Sequence, residues 1–346
     1  MLKPILSSQQ KEQIQLWLDK CQRFVLCAHV SPDGDAVGST LGMAGWLRAL
    51  GKEASIILPT QMPDFLQWIP GVSDIIIYEH NAEKAKQLIE DAEVIACLDF
   101  NDLSRLEEMG EVLSNAKADF WMVDHHLNPK DFCKVTVSFP EMSSTSELVF
   151  RLISEMGGYP FITFEMAEAI YCGMCTDTGG FTYNSTNPEI YYIIAQLLEK
   201  GIDKDKIYRS VYNNYSPNRI RLMGYVMYEK LQVIENFNAC IFTITRAEQR
   251  RFRFMKGDAE GLVNIPLTIK GTRLSISLRE DTDKDRILVS LRSVDDFPCN
   301  KMAEEFFNGG GHLNASGGKL YCTMEEAIET AKRAIFHYEK LLVAKK

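Results

Sequence analysis

The feature that most constrains the fold is a series of apolar runs in the first half of the chain, separated by helix-like stretches. The runs lack the polar alternation of a half-exposed strand, which favours parallel strands buried on both faces. They span residues 24–30, 54–58, 74–78, 94–100 and 120–123. Between the first two, residues 36–50 place apolar side chains on one helical stripe, which Gly51 ends. This alternation predicts a doubly wound α/β domain.

Acidic and histidine residues follow three of these runs. His29, Asp33 and Asp35 come after the first run, Asp99 ends a later one, and residues 124–126 (Asp, His, His) end the next. Open parallel sheets bind ligands at the carboxyl ends of their strands. We therefore expect these three segments to meet in one crevice.

Asp33 and Asp35 stand on either side of a single glycine, Gly34. Two carboxylates this close repel each other unless a proton or a cation lies between them. Aspartate, histidine and water suit Mn²⁺, Mg²⁺ or Fe²⁺ better than a thiolate-seeking ion. Carboxylates from several segments can hold two such ions about 3.5–4 Å apart, an arrangement used for in-line displacement at phosphorus. Taken alone, the segment is also typical of a plain Asp-Gly turn.

The remainder of the chain divides into a helical stretch and a second α/β pattern. Helices are predicted over 145–156, which a capping box of Ser144 and Glu147 would open, and over 164–175. Residues 188–231 are mostly helical in pattern, whereas 239–245, 273–279 and 287–292 are strand-like. We therefore predict a catalytic domain over 1–190, a helical connector over 191–231 and a smaller α/β domain over 232–346.

Composition excludes some functions. The formal net charge of −9 argues against long duplex nucleic acid, which needs extended basic surface, but allows a short phosphate-bearing ligand. No apolar stretch approaches the roughly 18 residues of a membrane span, and the N-terminus has no export-signal pattern. The nine cysteines lack framework spacing, which suggests reduced thiols. A cytoplasmic protein without a membrane partner is expected.

Six short motifs, in order, resemble one known family. "HVSPDGD" at 29–35, "LDFND" at 98–102, "DHH" at 124–126 and "CTDTGGF" at 175–181 are similar to the four motifs of the DHH phosphoesterase superfamily. "VSLRS" at 289–293 and "GGGHLNASGG" at 309–318 are similar to its DHHA1 subfamily. "DHH" alone is a weak signal, but six ordered motifs over nearly the whole chain are specific.

The resemblance implies a role for each matching residue. It implies that His29 and Asp33 bind one metal ion, that Asp35, His125 and Asp177 bind a second, and that Asp99 bridges both. His126 would face the phosphate, and Asp124 would orient a neighbouring ligand. Mn²⁺ is the expected ion, with Mg²⁺ and Fe²⁺ as alternatives. We interpret Gly34 and Gly38 as letting the backbone turn tightly and leaving room for the ligand.

The second domain is expected to recognise the substrate. Gly309, Gly310 and Gly311 form a predicted loop whose backbone amides can approach an anion. Arg292 and His312 resemble the family's substrate contacts, and the planar guanidinium of arginine suits a phosphate. The family often has a further glycine where this chain has Asn308, so the local backbone shape stays open.

The domain set resembles the nano-RNase (NrnA) type of the superfamily. This implies a hydrolase that trims short single-stranded RNA to mononucleotides and removes the 3′-phosphate of adenosine 3′,5′-bisphosphate. A phosphodiesterase for cyclic di-AMP or pApA is an alternative, and a non-hydrolysing nucleotide sensor is another. The oligomeric state, monomer or homodimer, stays open.

One further stretch, "YRSVYNNYSPNRIR" at 208–221, mixes tyrosine with arginine. This mixture is typical of a base-stacking surface and also of packing between domains. We favour packing.

Overall fold

The computed structural model describes residues 2–255 and 257–343 and separates the chain into two compact units, Met1–Asn214 and Tyr215–Lys346. The division lies inside the stretch predicted as a connector. Within the described ranges, no helix combines the length and apolar character that crossing a lipid bilayer requires.

The first unit is built on a six-stranded parallel sheet. Its strands are β1 Arg23–Cys27, β2 Glu53–Leu58, β3 Ile76–Ile77, β4 Val94–Leu98, β5 Asp119–Asp124 and β6 Val135–Ser138. Their spatial order, β3-β2-β1-β4-β5-β6, is that of a doubly wound sheet whose topological switch point lies between β1 and β4. The predicted doubly wound fold is confirmed.

Five strands correspond to the five apolar runs, and the sixth was not predicted. Burial along β6 alternates, because this strand lies at the sheet edge, so its sequence lacks a continuous apolar run. The run at 74–78 contributes only the two residues Ile76–Ile77 to the sheet, where β3 forms the opposite edge.

Eight α-helices accompany this sheet among the described residues: α1 Ser8–Lys20, α2 Gly34–Ala49, α3 Ala82–Asp91, α4 Glu108–Ser114, α5 Thr145–Glu155, α6 Phe164–Asp177, α7 Pro188–Glu199 and α8 Lys204–Tyr212. Buried side chains of α7 and α8, including Ile193 and Ile207, belong to the same core as α2 and β1. The last two helices are thus part of the first unit, although the sequence pattern assigned most of both to a connector.

The interpretation of Gly34 and Gly38 as turn residues is wrong, because both lie inside α2. A Cβ on Gly34 would lie 2.4 Å from Thr176 Oγ1, and one on Gly38 would lie 2.4 Å from the Ala169 carbonyl oxygen. These glycines therefore let α2 and α6 approach closely. The contact aligns the first residues of α2 with the last residue of α6, Asp177.

The second unit contains a mixed six-stranded sheet in the order β11-β12-β10-β9-β8-β7. Its strands are β7 Gln232–Ile234, β8 Ala239–Ile244, β9 Leu274–Glu280, β10 Ile287–Ser293, β11 Gly310–His312 and β12 Ala315–Leu320. Its described helices are α9 Pro217–Tyr225, α10 Arg246–Arg251, α11 Cys299–Phe306, α12 Met324–His337 and α13 Glu339–Val343. One face of the sheet packs its apolar side chains against α11 and α12. This agrees with the predicted smaller α/β domain.

The glycine-rich segment is not the loop that its composition suggests, because Gly310–His312 form a short strand paired with β12. A Cβ on Gly309 would lie only 1.8 Å from the Gly317 carbonyl oxygen, so the glycine permits close backbone packing. Asn308 has φ 47°, in the left-handed region that asparagine tolerates better than most residues. An asparagine can therefore replace the family's glycine there without changing the backbone shape.

Candidate metal centre

Two buried histidines at the carboxyl edge of the first sheet are held in the same way. His29 Nδ1 lies 2.8 Å from the Val30 carbonyl oxygen, and its Nε2 lies 3.3 Å from Asp99 Oδ2. His125 Nδ1 lies 3.3 Å from the Met142 carbonyl oxygen, and its Nε2 lies 3.2 Å from Asp177 Oδ2. When Nδ1 donates to a carbonyl, the lone pair of Nε2 faces the carboxylates, which is the usual arrangement of a metal-binding histidine.

Asp99 lies between these histidines. It follows β4, is 2% exposed and adopts φ 64°, in the left-handed region that few residues other than glycine enter. Its Oδ2 faces His29, whereas its Oδ1 lies 3.6 Å from His125 Nε2. The two oxygens of one carboxylate thus point toward two different groups of ligand atoms.

The predicted metal ligands come together in two groups. Ligand atoms of His29, Asp33 and Asp99 lie within 4.8 Å of one another. Those of Asp35, His125 and Asp177 form a second group within the same limit. Asp33 also caps α2, since one of its oxygens accepts from the Asp35 and Ala36 amides at 3.0 Å.

The centre holds more negative charge than its histidines neutralise. Burial, reinforced by Asp99 and Asp177, raises the pKa of Asp35 well above its ordinary value. Burial also raises the pKa of Asp177 to about 7, with Asp33 and Asp99 adding to the effect and His125 opposing it. Crowded carboxylates of this kind are stabilised by bound cations. Oxygen and imidazole donors carrying excess negative charge fit hard or borderline divalent ions.

The neighbouring carboxylates also raise the pKa of the buried His125, whereas burial acts on a histidine in the opposite direction. Burial alone would lower the pKa of His125, but Asp177, Asp99 and Asp35 outweigh it and raise the pKa to about 9. Burial would raise the pKa of Asp99, yet its hydrogen bond with His29 and the nearby imidazoles hold it well below the usual range. Asp99 therefore stays ionised between the histidines.

Asp124 and His126 form a separate pair beside this centre. The fully buried Asp124 carboxylate lies 2.7 Å from His126 Nδ1 and accepts from the His126 backbone amide at 2.9 Å. Asp124 therefore fixes the orientation of the His126 ring. His126 Nδ1 also lies 3.7 Å from Asp99 Oδ1, which brings the pair next to the two ligand groups.

The N-terminus of α5 completes the centre, and sequence reasoning missed it. The Thr145 amide donates to Asp35 Oδ2 at 2.6 Å, and the Ser146 amide donates to Asp35 Oδ1 at 2.8 Å. The Thr145 hydroxyl donates to Asp99 Oδ1 at 3.0 Å. One helix end thus positions two of the predicted ligands, with the favourable charge of its dipole.

The predicted capping box at this helix is wrong in part. The Ser144 hydroxyl does accept from the Glu147 amide at 3.0 Å. However, the Glu147 carboxylate accepts from the Ser143 amide at 2.9 Å and from Arg151 at 2.7 Å instead of returning to the cap residue. The run of four consecutive hydroxyl residues at 143–146 exceeds what a cap needs, and this was the signal available in the sequence.

The predicted substrate contacts of the second unit share one face of its sheet. Arg292 pairs with Ala315, and Ala315 pairs with His312. Residues paired directly across neighbouring strands point to the same side. This is the side opposite the core residues Val289 and Leu291. The Arg292 side chain is half-buried and donates to the Leu291 carbonyl at 2.9 Å.

Comparison with known protein families gives two matches. Residues 23–174 match the DHH family, N-terminal domain, and residues 239–339 match the DHHA1 domain. The two matched ranges fall on either side of the division between the compact units.

Individual proteins are also similar to this chain over most of its length. The crystal structure of an exopolyphosphatase-related protein from Bacteroides fragilis is 52% identical, with a TM-score of 0.95 over 99% of this chain and 100% of that one. The bifunctional oligoribonuclease and PAP phosphatase NrnA of Thermus thermophilus is 29% identical over 90% of this chain and 88% of its own length. RecJ from Thermus thermophilus, solved with Mn²⁺, shares the fold at 12% identity and a TM-score of 0.52, over 97% of this chain and 55% of RecJ.

Proposed function

Because the chain belongs to the DHH family, with a DHH domain followed by a DHHA1 domain, and is a hydrolase of phosphoester bonds, we propose that it degrades short single-stranded oligoribonucleotides to mononucleotides. We propose as its second reaction the removal of the 3′-phosphate from adenosine 3′,5′-bisphosphate. The name of the Thermus thermophilus relative, which covers both reactions, supports this substrate pair. The formal net charge of −9 supports a short ligand over a long duplex.

The observation that carries the proposal is the shared geometry of His29 and His125. Both direct Nε2 toward carboxylates, and Asp99 lies between them with one oxygen toward each. In the proposal, His29 and Asp33 would hold one divalent ion, Asp35, His125 and Asp177 would hold the other, and Asp99 would contribute to both. Mn²⁺ is the preferred ion, an assignment supported by the RecJ structure solved with Mn²⁺. Divalent ions bound there would supply Lewis acidity and activate water for attack at phosphorus.

Hydrogen bonds within the protein hold the side chains of the centre in position. The α5 amides hold both oxygens of Asp35, so that its carboxylate cannot rotate away from the centre. Asp124 holds His126 through Nδ1, and the proposal assigns His126 Nε2 to a non-bridging phosphate oxygen, where negative charge develops during attack. In the same proposal, Asp124 and His126 are the catalytic pair, and no protein nucleophile forms a covalent intermediate.

In the second unit, the proposal assigns substrate contacts to Arg292, His312 and the backbone of Gly309, Gly310 and Gly311. Arg292 suits a phosphate because its planar guanidinium donates two parallel hydrogen bonds. Among the three glycines, Gly310 is the least crowded, since a Cβ there would meet nothing nearer than Glu304 Cγ at 3.9 Å. A ligand could therefore approach its backbone.

A substrate panel tests the proposal. Purified protein is stripped with a chelator, reloaded with Mn²⁺ or Mg²⁺, and given adenosine 3′,5′-bisphosphate, two- to five-residue RNA, pApA and cyclic di-AMP in parallel. We expect metal-dependent release of mononucleotides from the RNA and of phosphate from the bisphosphate. Exclusive turnover of cyclic di-AMP, or undiminished turnover under chelation, would contradict the proposal.

Two histidine variants, one at the candidate centre and one at the surface, test whether His126 takes part in the reaction. His126→Asn should lower turnover of both substrates by roughly 10²- to 10³-fold, the size of effect seen when one group that stabilises developing charge is removed. His80→Ala, at an exposed position of the same unit, should leave turnover unchanged. Equal activity of the two variants would exclude His126 from the reaction.

A further inference from the structure

The turn that follows α6 has an unusual backbone. Asp177 is the last helical residue, and after Thr178 three consecutive residues have left-handed φ values: Gly179 at 55°, Gly180 at 70° and Phe181 at 64°. The Thr178 hydroxyl donates to the Met174 carbonyl at 2.6 Å and accepts from the Phe181 amide at 3.0 Å. The chain therefore reverses direction immediately beside Asp177.

Two tyrosines of α8 are attached to this turn. The Tyr212 hydroxyl donates to the Cys175 carbonyl at 2.9 Å, which anchors its ring to the last turn of α6. The Tyr208 ring lies on Tyr212, with 4.8 Å between ring centroids and an interplanar angle of 42°. A Cβ on Gly180 would lie 3.0 Å from Tyr208 Cε2, so the glycine backbone passes against the ring.

Tyr208 nevertheless remains 45% exposed, although it is held by Tyr212 and Gly180. An exposed aromatic ring that is already ordered can stack with a ligand at little conformational cost. Gly180 is three positions after Asp177, so their Cα atoms are at most about 11 Å apart. Successive bases of a stacked strand rise by about 3.4 Å. The ring is therefore within a few nucleotides of a phosphate bound at the metal centre.

We infer that Tyr208 is a stacking platform for a nucleobase of the single-stranded oligonucleotide that is cleaved at the metal centre. The inference rests on the proposed function and adds a subsite to it. Stacking on an aromatic ring tolerates every base, because each base has a π-face, and this suits degradation without sequence preference. The subsite accepts a second base, which an oligonucleotide has and adenosine 3′,5′-bisphosphate, with its single adenine, lacks.

Kinetics with substrates of different length test this subsite. Tyr208→Leu removes the ring but keeps an apolar side chain against Tyr212 and Gly180, and Tyr208→Phe keeps the ring. For three- to five-residue RNA, we expect Tyr208→Leu to raise KM by about 5- to 100-fold with little change in kcat, the range typical of losing one stacked base. Tyr208→Phe should restore the wild-type KM, and adenosine 3′,5′-bisphosphate should be hydrolysed equally by all three proteins.

Tyr192→Leu provides a matched control, because Tyr192 is similarly exposed, at 46%, but lies on α7. It should leave both substrates unaffected. The inference is overturned if Tyr208→Leu leaves the KM for RNA unchanged. It is also overturned if the variant alters both substrates equally while lowering the melting temperature, since that result indicates a structural role. If the wild-type protein does not cleave RNA at all, the proposed function is contradicted, and so is the subsite that depends on it.

Discussion

Asp281 in the second unit and Asp35 in the first are both buried acids, yet their surroundings differ. Asp281 lies 2.6 Å from Arg286 Nε and accepts from the Asp283 amide at 3.0 Å, and these interactions lower its pKa although burial opposes them. Asp35 has burial and neighbouring aspartates acting in one direction, and its pKa is raised. The second unit balances its buried acid with a cation of its own. At the candidate centre of the first unit the carboxylates outnumber the histidines, a charge balance that favours a bound cation.

The same contrast extends to the backbone. Asp35 receives two amide hydrogen bonds from α5, which hold its position but bring no full positive charge. Elsewhere in the first unit, the buried Glu147 does have a cationic partner, since Arg151 lies 2.7 Å from it and also 2.7 Å from the partly exposed Glu189. Glu147, with its arginine partner, therefore differs from the aspartates of the candidate metal centre, which outnumber the histidines around them.

The strongest test of this contrast is Asp99→Asn. Because the two oxygens of Asp99 face different histidines, the variant should weaken both ligand groups together and lower turnover by about 10³-fold. Bound Mn²⁺, measured by atomic emission after gel filtration, should fall well below two ions per chain. Asp102→Asn, a nearby acid that caps a turn, should retain both ions. Retention of two ions by Asp99→Asn would show that Asp99 is not shared.

The next test compares the stability of the two units when metal is added. An ion that binds only the folded state at 100 times its Kd adds about 2.7 kcal/mol to the free energy of unfolding for each site. All four tryptophans (Trp17, Trp46, Trp68 and Trp121) lie in the first unit, so their fluorescence reports its unfolding. Mn²⁺ should shift this transition to higher urea and should not slow amide exchange in the core of β9 and β10. Equal protection of both units would contradict a centre confined to the first.

A smaller effect is expected from Thr145→Val. The variant removes the hydroxyl that donates to Asp99 but keeps the branched shape and the amide that donates to Asp35. Loss of such a supporting hydrogen bond typically weakens metal binding by about 10- to 100-fold. Calorimetric titration with Mn²⁺ measures this directly, and Thr145→Ser should bind like the wild type. If Thr145→Ser binds weakly while Thr145→Val binds like the wild type, packing of the methyl group and not the hydroxyl is responsible.

The smallest expected effect is in the second unit, with Asp281→Asn. The lowered pKa of Asp281 means that its ionised form stabilises the fold above its ordinary value of 3.8, and that this contribution is lost as the pH falls through the folded-state pKa. The variant should therefore cost about 1 kcal/mol at pH 7 and progressively less on acidification. Urea denaturation followed by far-UV circular dichroism at several pH values measures the difference. A cost that grows as the pH falls would reverse the assigned sign.

Much of the first unit could be predicted because its signals are local. Continuous apolar runs identify β1, β2, β4 and β5, since strands buried on both faces tolerate few polar residues. His29, Asp99 and His125 stand directly after such runs, and parallel strands bring these positions to one edge. The edge strand β6 has no such run, which is why its pattern gave no prediction.

The types of candidate ligand, their order and the strands that carry them could thus be predicted from short stretches of the chain, because hydrophobic periodicity and side-chain chemistry act locally. Only the tertiary structure decided that the α5 amides donate hydrogen bonds to Asp35, which is 110 residues away from Thr145. It also decided that Gly34 and Gly38 serve helix packing, and that Tyr208 lies against Gly180, three positions after Asp177. These relations depend on which backbone atoms meet after the chain has folded, and no local pattern encodes them.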